Sequence, residues 1–116
     1  MKVAGMKWIA GFPSNIARGL PRASGLVALN STETGRLLAL MPCETLSARR
    51  TAAVTALSFD HLAPPAPRRV AMLGAGPIAQ SILEALDTRS SREIVEIRLC
   101  DLRRERAEKM SQLLSR

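Results

Sequence analysis

An α/β fold containing a nucleotide-binding βαβα unit is predicted by three observations. A short apolar run, Arg69-Val70-Ala71-Met72-Leu73, leads straight into Gly74-Ala75-Gly76-Pro77-Ile78-Ala79, a G-x-G-x-x-A turn. A helix-periodic segment follows it. A second strand pattern then closes on Asp101, at the spacing of about 20 residues expected for a dinucleotide-binding acid. Strand, turn, helix, strand and acid in that order make the start of a Rossmann domain, and a glycine pattern alone would not.

Each position has a physical task. Gly74 permits the tight turn out of the strand, and Gly76, lacking a Cβ, lets backbone approach a pyrophosphate. The small Ala79 allows close packing of helix on strand. Pro77 suits a first helical turn, where its missing N–H is not needed, and the helix N-terminus offers N–H groups and a positive dipole end to phosphate. The expected cofactor contacts are therefore Gly74, Ala75, Gly76, Pro77 and Ile78, with Asp101 on the ribose. An acid there favours NAD over NADP, although Arg103 and Arg104 work against that preference. Ile78, Ile82, Ala85 and Leu86 fall on one helical face, predicted to lie on the sheet.

The remaining elements follow in chain order. Met6-Lys7-Trp8-Ile9, within Gly5–Ala10, reads as a short strand with one lysine, and Gly11-Phe12-Pro13-Ser14-Asn15 breaks it. A loop through Arg18-Gly19-Leu20-Pro21 leads to a strand at Ala23–Asn30. The turn cluster Asn30–Gly35 joins it to a returning strand at Arg36–Met41, which Pro42 ends. Glu44–Leu62 reads as a helix of roughly five turns with Leu46, Ala53, Val54 and Leu57 on its inner face. Arg50 shares that stripe, where a charge must snorkel out or find an anion. Ala63-Pro64-Pro65-Ala66-Pro67 is a stiff linker. The predicted organisation is a first domain at 1–62, a linker at 63–68 and a nucleotide-binding domain at 69–116. In the latter, Asp87–Arg92 reads as a polar loop, Ile94–Cys100 as a half-buried strand, and Arg103–Leu114 as a charged helix with Ala107, Met110, Leu113 and Leu114 inward.

Composition limits the alternatives. The chain has 116 residues with 17 Lys+Arg against 10 Asp+Glu, a net charge of +7. Residues 1–68 hold eight basic and three acidic side chains, so the excess lies mostly there. An anionic ligand site, a nucleic-acid surface, a transit peptide, or acids supplied by missing chain could each account for it. The first stretch reads as strand and loop, which disfavours a transit helix. There is no Tyr, and only Trp8, Phe12 and Phe59 could stack on bases, so no nucleic-acid partner is expected. Cys43 and Cys100 have no metal or redox spacing and read as reduced thiols. His61 stands alone and reads as structural, so no metal site is expected. No apolar run approaches the ~20 residues needed to cross a bilayer, and a cytoplasmic location with no membrane partner is expected.

Several segments together resemble a known family. They are Gly5-Met6-Lys7-Trp8-Ile9, Arg22-Ala23-Ser24-Gly25, the N-x-x-E-T-G run Asn30–Gly35, Ala48-Arg49-Arg50-Thr51-Ala52-Ala53 and the Gly74-Ala75-Gly76 turn. In this order they are similar to the ornithine cyclodeaminase/mu-crystallin family. The wording is closest to the N-(2-amino-2-carboxyethyl)-glutamate dehydrogenases that supply 2,3-diaminopropionate to siderophore and antibiotic pathways. The resemblance implies a homodimer with a mixed-sheet substrate and dimerisation domain before the Rossmann domain. It implies oxidation of an amine beside a carboxylate with NAD, followed by attack of water or an internal amine on the imine. By position, Lys7 and Arg50 are the implied substrate-carboxylate ligands. The family's further substrate arginine and its catalytic aspartate have no counterpart here, so the chain is expected to be an internal piece of such an enzyme, inactive alone. Pro42 departs from the acidic residue usual in that branch. A non-catalytic binding protein of mu-crystallin type and a basic interaction module are the competing expectations.

Overall fold

The computed structural model describes residues 2–64, 68–89 and 94–114. Residues 65–67 of the expected linker and 90–93 of the expected polar loop lie outside the described residues. The chain forms two compact units, Met1–Ser47 and Ala48–Arg116.

In the first unit, strands β1 (Val3–Gly11), β2 (Ala23–Ser31) and β3 (Leu37–Pro42) form an antiparallel sheet in that order. The β1–β2 connection, read as a loop, contains a 3-10 helix at Pro13–Arg18. Proline at its start and Gly19 at φ +70° after its end set its limits. The β2–β3 turn is built by short polar side chains. Ser31 Oγ accepts the N–H groups of Glu33 and Thr34, each at 3.2 Å, and Asn30 Nδ2 donates to the Gly35 carbonyl at 3.1 Å. Gly35, at φ +71°, supplies the left-handed residue that closes it.

Helix α1 (Glu44–Leu62) begins in this unit, and Gly25 fixes its start to the sheet. Gly25 N–H donates to Glu44 Oε1 at 3.3 Å, and the Gly25 carbonyl accepts Cys43 N–H at 3.1 Å. Cys43 is fully buried at this junction. Paired residues of an antiparallel ladder share a face, so Met6, Ala28 and Leu40 lie together on one side. Met6, Trp8 and Leu40 are all more than 60% exposed, leaving an apolar sheet face open to solvent.

The second unit holds β4 (Arg68–Leu73), α2 (Pro77–Arg89), β5 (Ile94–Cys100) and α3 (Arg104–Leu114). Strands β4 and β5 pair in parallel, so α2 is the crossover of a βαβ unit. Its core joins Ala56 of α1, Ala75, Ala79, Leu83 and Leu86 around α2, and Met110 of α3, with Met72 and Leu99 packed against it from the strands. The opposite sheet face carries Arg69, Glu96 and Arg98. Glu96 meets Arg98 at 2.7 Å and Arg69 at 3.2 Å, and the Arg98 hydrogen bond holds its carboxyl below the usual range. These exposed pairs favour the register with little net stabilisation.

Several readings of the sequence are corrected here, among them Leu113, expected inward on α3 but 45% exposed. The inner face of α1 is Ala52 and Ala56 with half-buried Phe59, not Leu46, Ala53, Val54 and Leu57, which are all exposed. Both stripes have helical spacing, and the alanine side is the one that packs because small residues allow close approach. Arg50, on the outer stripe, is exposed and bears no burial cost. On α2, only Ile78 of the predicted inner face is misplaced, at 47% exposed; Ile82 and Ala85 are half-buried against the core that Ala79, Leu83 and Leu86 enter. Asp87 lies within α2, which continues to Arg89; Thr88 Oγ1 donates back to the Glu84 carbonyl at 2.7 Å, so its hydroxyl is satisfied inside the helix. Strand β4, read as buried, is only half-buried at Val70 and Met72, and Leu73 is 83% exposed.

Leu83 is 1% exposed at the centre of this core. Leu83→Ala is expected to lower the stability of the second unit by about 2–5 kcal/mol, read from the urea midpoint of its helical signal.

Candidate dinucleotide site

Two βα turns, one after each parallel strand, meet at the strands' C-terminal ends. Gly74 N–H donates to the Cys100 carbonyl at 2.7 Å, tying the end of β4 to the end of β5. Gly74 lies at φ +95°, a conformation that side chains rarely adopt, so glycine is required there by backbone geometry. Ala75 turns inward, is 9% exposed and packs in the core beside Ala79. Gly76 ends the turn, and Gln80 N–H donates to its carbonyl at 3.1 Å, closing the first turn of α2.

The start of α2 fits a phosphate group. Pro77 has no N–H, and helix geometry leaves Ile78 and Ala79 N–H without intrahelical acceptors. A Cβ built on Gly76 would meet no protein atom within 4 Å. Among the described residues nothing therefore demands glycine at this position. The open space above it is what a pyrophosphate approaching the backbone needs.

Asp101, just beyond β5, is half-buried and uses both carboxylate oxygens. Oδ2 accepts Ala75 N–H at 2.7 Å, and Oδ1 accepts Arg103 N–H at 2.8 Å. The Ala75 hydrogen bond first, then the Arg103 N–H, hold its carboxyl below the usual aspartate range, helped by the Arg106 and Arg103 charges. A folded-state pKa lowered in this way stabilises the protein above the ordinary value of about 3.9, and the contribution is lost as pH falls through the lowered value. The stability difference between the chain and Asp101→Asn is thus expected to be full near neutral pH and to vanish in acid. Urea unfolding of both proteins across this range measures it.

Gly74, Ala75, Gly76, Pro77, Ile78 and Asp101 are thus brought together in the second unit. Lys7 lies in the first, exposed on β1, with Nζ donating to Ser47 Oγ at 3.3 Å. Arg50 is exposed on the outer stripe of α1, in the second unit. Two features had no sequence signal: the Ser47 partner of Lys7, 40 residues away, and the Asp101–Ala75 bond, 26 residues apart. Both depend on where strands and helix ends meet. Among the described residues, no three His, Cys, Asp or Glu side chains group as a metal site, and no helix is long and apolar enough to cross a membrane.

A family model described as the ornithine cyclodeaminase/mu-crystallin family matches residues 1–116. The chain belongs to that family. It is similar to the N-((2S)-2-amino-2-carboxyethyl)-L-glutamate dehydrogenase of Staphylococcus aureus, 37% identical over 90 residues that cover 73% of this chain and 27% of that protein. Among solved structures, the Thermococcus litoralis Δ1-pyrroline-2-carboxylate reductase in complex with NADH and L-proline matches with a TM-score of 0.87. Identity there is 29%, over 96% of this chain and 34% of that one. An archaeal alanine dehydrogenase dimer with bound NAD matches with a TM-score of 0.86 and 33% identity, over 99% of this chain and 35% of that one. The chain spans about a third of the length of these relatives, or less. Ornithine cyclodeaminase/mu-crystallin relatives and neighbours are NAD-dependent amino-acid dehydrogenases and cyclodeaminases.

Proposed function

We propose that this chain supplies the first half of the NAD site and part of the substrate site of an NAD-dependent, amino-acid-processing enzyme. The observation that carries this is the open turn at Gly76, set beside an acid at the end of the next strand. Gly76, Ile78 and Ala79 would present N–H groups to the pyrophosphate, and Asp101 would accept the adenosine ribose hydroxyls. A carboxylate has about four lone-pair sites, so Asp101 keeps one on each oxygen for the ribose. Bound NAD would supply the hydride acceptor for the C–H of an amine carbon beside a carboxylate.

Lys7 and Arg50 are proposed to hold that carboxylate. Arg50 offers parallel N–H donors that fix a carboxylate in plane, as hydride transfer requires, and its exposure leaves it accessible. Ser47 aims the Lys7 ammonium. After oxidation, water or a second amine of the substrate would attack the imine, giving deamination or cyclisation. The substrate half is assigned to 1–62 and the nucleotide half to 69–116, joined by 63–68. The full-length protein is proposed to be a cytoplasmic homodimer, and the apolar face at Met6, Trp8 and Leu40 is consistent with a covered sheet.

The test is to supply NAD with L-ornithine, L-alanine or a carboxyethyl amino acid to the protein that carries this chain. NADH formation is expected, with Arg50→Ala raising KM for the amino acid by about ten- to a hundred-fold, as loss of a charged hydrogen-bonding partner does. NAD binding without NADH formation from any such substrate would instead support a binding protein of mu-crystallin type.

A further inference from the structure

Each Asp101 carboxylate oxygen accepts a backbone N–H before any ligand is considered. One of these donors, Ala75 N–H, is the central amide of the glycine-rich turn, the amide a pyrophosphate would be expected to use. It points instead at the carboxylate. Gly74 N–H is likewise committed, to the Cys100 carbonyl. Pro77 has none. The N–H groups left without an acceptor among the described residues are those of Gly76, Ile78 and Ala79.

We propose that Asp101 is a positioning residue for the pyrophosphate as well as a ribose ligand. Its carboxylate latches Ala75 N–H to Arg103 N–H, which holds the turn in its phosphate-receiving form and leaves phosphate binding to Gly76, Ile78 and Ala79. This rests on the nucleotide reading of the site only for the identity of the ligand. The latch itself is a property of the ligand-free chain. The lowered pKa of Asp101 agrees with it, since two N–H donors favour the charged form.

The deciding probe is the dideoxyribose analogue of ADP, which lacks both ribose hydroxyls and so cannot touch Asp101 through them. If Asp101 served only the ribose, Asp101→Ala would leave this ligand's affinity unchanged. It could even improve it, because a negative charge near the diphosphate is removed. The latch predicts the opposite sign: affinity for dideoxy-ADP falls by about tenfold, as loss of one charged hydrogen bond does. ADP falls further. Unchanged or tighter binding of dideoxy-ADP by the variant overturns the proposal.

Amide hydrogen exchange on the ligand-free, isotope-labelled chain provides a separate readout. In Asp101→Ala, exchange at Ala75 and Arg103 is expected to rise by about tenfold, while Gly74, bonded to Cys100, keeps its rate. Unchanged exchange at Ala75 contradicts the latch. If neither nucleotide binds the unsubstituted chain, the nucleotide reading fails and exchange alone decides the latch. Should the variant not fold, acid titration of the unsubstituted chain replaces it. The Ala75 and Arg103 amide signals then move together with one midpoint, set by Asp101 facing Arg103 and Arg106, and separate midpoints would refute the shared carboxylate.

Discussion

Gly76→Val is expected to abolish dinucleotide binding while leaving the fold intact. The two effects separate because a Cβ at this position would meet no atom of the described residues within 4 Å and Gly76 is not at positive φ. The substitution fills the space that a pyrophosphate must enter, directly before the first helical residue, Pro77. Its stability cost is limited to replacing a glycine at the helix boundary, no more than about 1 kcal/mol. The binding loss should exceed a hundred-fold, since contacts worth about 1.5–3 kcal/mol per charged hydrogen bond are removed together. Calorimetric titration and thermal unfolding of the same sample read the two quantities. Retained NAD binding would show that phosphate does not approach this turn.

Gly25→Ala is expected to have the largest effect on the fold itself. A Cβ there would overlap the Trp8 carbonyl oxygen and lie 2.7 Å from Ile9 Cα. Both are backbone atoms of the paired strand, so no rotamer change relieves the contact, and β1 would have to move off β2. The same residue anchors α1 through Cys43 and Glu44, so the start of the helix would move with it. Overpacking of side chains costs about 1–3 kcal/mol, and a backbone clash is expected to exceed that range. Gly5→Ala is the contrast: its Cβ would meet Leu29 Cδ2 at 2.8 Å, the far end of a side chain that can turn away. Amide exchange along β1 should therefore rise sharply in Gly25→Ala and only slightly in Gly5→Ala.

These two glycines show what could be read from sequence alone. The G-x-G-x-x-A turn was legible because its chemistry is local: strand end, glycine backbone, helix start. The hairpin at Asn30–Gly35 and the limits of α1 were legible for the same reason. Gly25 drew notice only within a family motif, since its crowding depends on Ile9 and the Trp8 carbonyl lying across the ladder from it. The inner face of α1 was misread because periodicity weights large apolar residues, whereas the core is built on Ala52 and Ala56. A similar preference for the larger residue added Ile78 to the inner face of α2, where Ala79, read as the close-packing residue, does lie in the core. The latch of Asp101 on Ala75 could not be read at all, because a spacing locates the acid and leaves its partner unspecified.

The central claim is that the turn at Gly74–Ile78 and Asp101 form a working half-site for NAD. Calorimetric titration of NAD into this chain, with Asp101→Ala as the control, tests it most directly. Saturable binding at one site is expected, weakened by ten- to about a hundred-fold or lost in the variant. Absence of binding by a chain whose amide spectrum is well dispersed, or equal binding by the variant, would contradict it.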